Sequence, residues 1–147
     1  MNLAKRVLVC ICLAGALVVP STASAATRQF SGTVEGGGTI TFKTKFKNGK
    51  TKKVLLPLVI SGVPISCDQG STMLNYEIAA SVPAIGVKGN AFSFTTAPNE
   101  QPPVAETTGV FNKKGKKASG TFRDHGDFNT THTNCDTGTV DWTAHKT

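Results

Sequence analysis

The sequence predicts an all-β domain, an antiparallel β-sandwich of about eight short strands with a closed β-barrel as the alternative, held by one disulfide. Three observations carry this. From Gln29 onward apolar and polar residues alternate with period two, the mark of strands with one buried face, and no long stretch keeps a helical period. Turn chemistry such as Asn48-Gly49 and Gly36-Gly37-Gly38 interrupts the alternation at short intervals. Two of the four cysteines, Cys67 and Cys135, remain once an amino-terminal export segment is set aside, each followed by aspartate and, two positions further on, by glycine.

Residues 1–25 read as a secretory signal. Lys5 and Arg6 give a positive start, Val7 to Val19 is apolar, and Ala23-Ser24-Ala25 fits the small-x-small cleavage rule, which places the cut after Ala25. The apolar run is too short to span a bilayer, and no later segment is long or apolar enough. Cys10 follows Val9 and Cys12 follows Ile11, so neither has the small residue that precedes a lipidated cysteine. Cleavage leaves residues 26–147 as a single β domain, secreted or associated with the cell envelope. With Lys5 and Arg6 gone the net charge falls from +7 to +5, so the chain stays basic. In an oxidising compartment a Cys67–Cys135 disulfide is the default expectation.

The strands follow in order. In residues 29–35, Phe30, Gly32 and Val34 share one face; in 39–47, Ile40, Phe42, Thr44 and Phe46 oppose Lys43, Lys45 and Lys47. Asn48-Gly49 closes that hairpin, because both residues tolerate positive φ. The third strand, 52–61, is apolar almost throughout, and Pro57 marks an edge or a bulge because it cannot donate to a ladder. Residues 73–80 alternate with Leu74, Tyr76 and Ile78 inward, residues 81–90 form a loop, and 91–96 carries Phe92 and Phe94 inward. The proline-rich stretch 97–103 is a connector. Strands 104–111 and 118–124 flank a basic tip at 112–117, a polar loop spans 125–136, and Val140, Trp142 and Ala144 mark the last strand.

A short signature recurs at Gly32, Gly38, Gly120 and Gly138, with glycine two residues before a hydrophobe on the inward face. It predicts room for an aromatic ring to lie across the strand. The spacing has no fixed period, so these are not array repeats. The stretches FSGTVE at 30–35, SCDQG at 66–70, GKKASGTFR at 115–123 and CDTGTVDWTA at 135–144 resemble small exported β-domain proteins of unassigned function from high-GC Gram-positive soil bacteria. The resemblance covers most of residues 26–147 and implies fold and export, but carries no catalytic residues.

Candidate chemistry gathers in the 124–136 loop. Asp124, Asp127 and Asp136 offer oxygens for a calcium ion, and His125, His132, Cys67 and Cys135 offer two nitrogens and two thiolates for zinc. Neither set has the spacing of an established motif, so Asp124, Asp127 and His132 stand only as weak metal candidates and no cofactor is expected. Solvated loop residues and turn formers account for the same pattern. Asn129-Thr130-Thr131 fits a glycosylation sequon. The chain has no Gly-x-Ser-x-Gly elbow, His-Glu-x-x-His or phosphate-cradling glycine loop.

The lysines are the stronger signal. Lys43, Lys45 and Lys47 share a strand face, Lys50, Lys52 and Lys53 follow across the hairpin, and Lys113, Lys114, Lys116 and Lys117 crowd a second tip. Brought to one end, the two tips would attract an anionic or carbohydrate envelope polymer by counterion release. Kept apart, the same lysines are solubility devices that guard exposed strands. Few aromatics interleave with them, so specific nucleic-acid reading is not expected. The sequence thus favours an exported, non-enzymatic binding module. The alternatives are a small secreted hydrolase or enzyme inhibitor using the 124–136 loop, and a protein-binding or adhesive surface module.

Overall fold

The structure, a computed structural model, describes residues 24–78, 84–96 and 104–147. Residues 1–23, most of the stretch read as a secretory signal, the 79–83 stretch and the 97–103 connector lie outside the described residues. The elements are β1 (Ala26–Val34), β2 (Thr39–Lys47), β3 (Lys50–Cys67), β4 (Gly70–Ile78), β5 (Ala84–Gly86), β6 (Ala91–Thr95), β7 (Val104–Phe111), β8 (Lys117–Gly126), β9 (Cys135–Asp136) and β10 (Val140–Lys146). No helix occurs among the described residues.

The all-β expectation holds, but the architecture is a barrel and not the preferred sandwich. Antiparallel pairing runs β10–β1–β2–β3–β9–β8 and returns from β8 to β10, closing a six-stranded ring. β4 and β5 attach to β3, β7 attaches to β8, and β6 to β7. Closure arises because two long strands change neighbours along their length. β3 pairs with β2 up to Ser61 and then meets β9 at Ser66, while β8 pairs with β10 up to Phe122 and then meets β9 at His125. The two-residue β9 therefore bridges what would otherwise be a seam.

Two bends in β3 make this possible, and the sequence signals both. The register with β2 slips between Thr41 and Lys43, where Leu56, Pro57 and Leu58 form a bulge, so the proline sits where no ladder donor is needed. The register with β4 slips between Ser61 and Val63, where Gly62 adopts φ 73°. The expected end of the third strand near Ser61 is corrected accordingly. Gly62 bends the strand without ending it, and β3 runs on to Cys67. The loop expected at 81–90 also contains the short β5, in which only Ile85 is buried, too little to make a period visible.

The inward faces match the alternation read from the sequence. Phe30, Ile40, Phe42, Val54, Leu58, Ile60, Phe111, Phe122 and Trp142 are buried in one core. Phe30 stacks on Phe42 at 5.1 Å between ring centroids, and Trp142 and Phe111 meet Phe42 edge-on at 5.9 and 6.3 Å. The Trp142 indole N–H donates to the Thr121 carbonyl at 3.1 Å, so its polar atom is satisfied.

The glycine signature works differently from expectation at Gly32 and Gly120, and at Gly38 and Gly138 it fails, since these lie outside the strands with φ of 98° and 65°. A Cβ at Gly32 would meet the backbone of Thr143 and Ala144, and one at Gly120 the backbone of Thr108 and Gly109. The missing side chains admit a neighbouring strand and not a ring, which allows tight coiling at closure. The aromatic rings instead lie over Gly109, where a Cβ would press on Phe92 and Trp142.

Candidate functional site: the lysine-rich end

The Asn48-Gly49 turn forms as expected, with φ of 53° and 73° joining Lys47 to Lys50. Just before it, the Phe46 ring carries the Arg28 guanidinium 3.1 Å above its centroid. The same guanidinium donates through Nη1 to the Gly115 carbonyl at 2.9 Å. Gly115 lies in the middle of the second lysine tip and is buried, while Lys113, Lys114, Lys116 and Lys117 around it are exposed. Arg28 thus clamps the two basic tips together. A second tie comes from the last strand, where the Lys146 N–H donates to the Lys116 carbonyl at 2.9 Å.

A third turn joins them. The Val87 N–H donates to the Lys52 carbonyl and the Phe111 N–H to the Asn90 carbonyl, which brings the β5–β6 turn and Lys88 to the same end. The segments that build this end, 26–30, 43–53, 86–91, 110–118 and 144–147, contain every Lys and Arg of residues 26–147 except Arg123, and no Asp or Glu. Lys43, Lys45 and Lys47 extend the basic surface along β2, with Lys45 Nζ donating to Thr27 Oγ1 at 3.0 Å. A depression of about 400 Å³ lies beside the second tip, bordered by Asn112, Lys117, Ser119, Thr143 and His145. Sequence reading missed Arg28, Lys88 and Lys146 because each is an isolated cation until the fold gathers it.

Gly115 is the pivot, with φ 58° and no room for a side chain. A Cβ there would come within 2.8 Å of a Phe46 ring carbon and 3.3 Å of Arg28 Nη1. Gly115→Ala should therefore destabilise the domain by about 1–3 kcal/mol and part the two tips. Urea unfolding and Trp142 fluorescence would check the first effect, and a measured loss below a few tenths of a kcal/mol would contradict the clamp.

The disulfide end is built differently. Cys67 and Cys135 are joined as expected, which removes both thiolates from the zinc set. The β3–β4 turn is laced to the 127–134 loop. The Asp68 N–H donates to the Thr133 carbonyl, Gln69 exchanges hydrogen bonds with Thr133 at 2.8 and 3.0 Å, and Asn134 Nδ2 donates to Asp68 Oδ2 at 2.7 Å. Asp127 accepts the Asn134 N–H, and His132 Nδ1 lies 3.2 Å from Asn129 Oδ1. Among the described residues no three His, Cys, Asp or Glu side chains gather as metal ligands, so Asp124, Asp127 and His132 are not brought together. The Asn129 side-chain oxygen accepts from the Thr131 N–H and hydroxyl, the local geometry of a turn.

Asp124 occupies the inward face of β8 and is fully buried, and neither carboxylate oxygen has a partner in hydrogen-bonding geometry. Burial pushes its carboxyl up to about 6; the His125 backbone N–H offsets part of this and the Asp136 charge adds to it. Asp136 is held below the ordinary carboxylate range, chiefly by its hydrogen bonds from Arg123 at 2.7 and 3.1 Å. That pair is over two-fifths exposed, so it orients β9 more than it stabilises the fold.

No family model matches the chain, and no curated protein or solved structure matches it.

Proposed function

We propose that the protein is an exported, non-enzymatic β-barrel module that holds an anionic or carbohydrate polymer of the cell envelope at its lysine-rich end. The observation that carries this reading is the Arg28 clamp, which joins Phe46 and Gly115 and so fuses two lysine tips into one surface whose segments hold no Asp or Glu. Lysines that served only to guard strand edges would have no need of a shared end. A polyanion spanning the tips would neutralise several charges at once and release its counterions, giving affinity that falls steeply with salt. The depression beside Lys117 and Ser119 offers hydroxyl, amide and imidazole groups to a sugar ring. The hydrolase alternative has less support, because Asp124 is sealed from solvent and Asp136 is engaged by Arg123.

Immobilised polyphosphate, a polyuronate and neutral dextran test the reading. Retention by the two anionic matrices and release by salt are expected, and Lys113/Lys114/Lys116/Lys117→Ala should weaken retention by at least about tenfold. Retention on the anionic matrices that salt does not release, or binding that the fourfold variant leaves unchanged, would reject it.

A further inference from the structure

We propose that the outer edge of β4 is a self-association surface, on which two copies of the chain join by antiparallel pairing of residues 71–75 about a two-fold axis at Met73. The inference is independent of the polymer reading. β4 pairs with β3 along one edge, and among the described residues no strand pairs with the other. The β3–β4 hairpin closes through the two residues Asp68 and Gln69, so Cys67 and Gly70 form the first hydrogen-bonded pair. Alternation then makes Ile65–Thr72 and Val63–Leu74 bonded pairs and turns the N–H and C=O of Ser71 and Met73 outward. Pro64 opposite Met73 agrees with this, since proline has no N–H to offer there.

Among the described residues no segment covers this edge. Gly70, Ser71, Thr72 and Met73 are all exposed, and Met73 is 63% exposed. Natural edge strands are protected by lysine, proline or a covering segment; residues 70–76 contain neither lysine nor proline in a chain rich in lysine elsewhere. An outward row of backbone donors and acceptors is complementary to another extended polypeptide.

A second copy fits that description. Pairing Met73 with Met73 sets Ser71 opposite Asn75 and Thr72 opposite Leu74, and Glu77 falls opposite Gln69, so no like charges face each other across the ladder. Met73 borders a cleft of about 350 Å³ with Ile65, Leu74 and Phe128, which provides apolar surface for the second copy's Met73. β4 begins beside the disulfide, whereas the lysine tips lie at the other end, so a two-fold contact here keeps the strongly basic ends apart. Twofold closure also consumes the edge and stops growth.

Sedimentation equilibrium of residues 26–147, which contain every described strand, would measure the association from about 1 μM to about 1 mM. The mass should double within that range. Met73→Lys and Met73→Pro should each weaken the dimer by at least about tenfold, while Val110→Lys, at an exposed apolar residue on β7, should leave it unchanged. Under mild oxidation Met73→Cys should link two copies covalently, and Ser71→Cys should not. A monomer throughout the range, or a dimer indifferent to both Met73 substitutions, would overturn the proposal, as would linkage through Ser71→Cys in preference to Met73→Cys.

Discussion

Replacing both Cys67 and Cys135 by serine is expected to cost roughly 4 kcal/mol of folding stability, because the bond closes a loop 68 residues long and removes that freedom from the unfolded chain. For a domain of this size that is a large share of a typical total of about 5–15 kcal/mol. The native contacts point the same way. β9 is two residues long and among the described residues pairs only with β3 at Ser66 and with β8 at His125 and Gly126, so the bond joins the hydrogen bonds of the 127–134 loop in holding the ring at that point. Loss of the bond should therefore loosen the closure first, with earlier amide exchange in 127–136 than in β1 or β2. Chemical unfolding in the presence and absence of reductant measures the total, and a difference below about 1 kcal/mol would refute the assignment of β9 as a stapled bridge.

The second large effect is a fall in stability between about pH 4 and pH 6, caused by Asp124. Its carboxyl titrates near 3.8 in the unfolded chain and at about 6 in the barrel, so the folded state holds the proton more tightly. Stability from this group is therefore complete below pH 4, is lost as pH rises through 6, and is flat above. The loss is at most about 3 kcal/mol, and less where the core relaxes around the charge. Asp136, held low by Arg123, works in the opposite sense, but only as pH drops below the ordinary carboxylate range. Asp124→Asn should remove the slope and raise the melting temperature at pH 7.5 while leaving it nearly unchanged at pH 4.5. Identical melting profiles for the two proteins across this range would show that Asp124 is not buried as a charge.

The sequence made β2 legible to the residue, since it alternates over nearly its whole length; β7 has the bounds read for 104–111, although its apolar pairs Val104-Ala105 and Val110-Phe111 blur the alternation. It made the disulfide legible because only two cysteines were left to pair. Closure was not legible. It depends on β3 and β8 exchanging neighbours at Ser61 and Phe122, and on a two-residue β9 too short to show any period. Gly32 and Gly120 did signal close approach, but the partner is backbone from β10 and β7, which alternation within one strand cannot reveal. The lysine tips were read correctly as tips. Their meeting depends on an arginine in β1, a phenylalanine in β2 and a glycine at 115, three positions with no spacing rule between them.

Co-sedimentation of the oxidised protein with isolated cell envelopes is the most direct test that the joined tips are the working surface. Salt would be raised from about 0.02 M to about 0.5 M, shortening the Debye length from over 20 Å to about 4 Å. Lys113/Lys114/Lys116/Lys117→Ala would run in parallel. The account predicts retention at low salt that disappears at high salt and in the variant. Absence of retention in every condition, or retention that neither salt nor the variant disturbs, would contradict it.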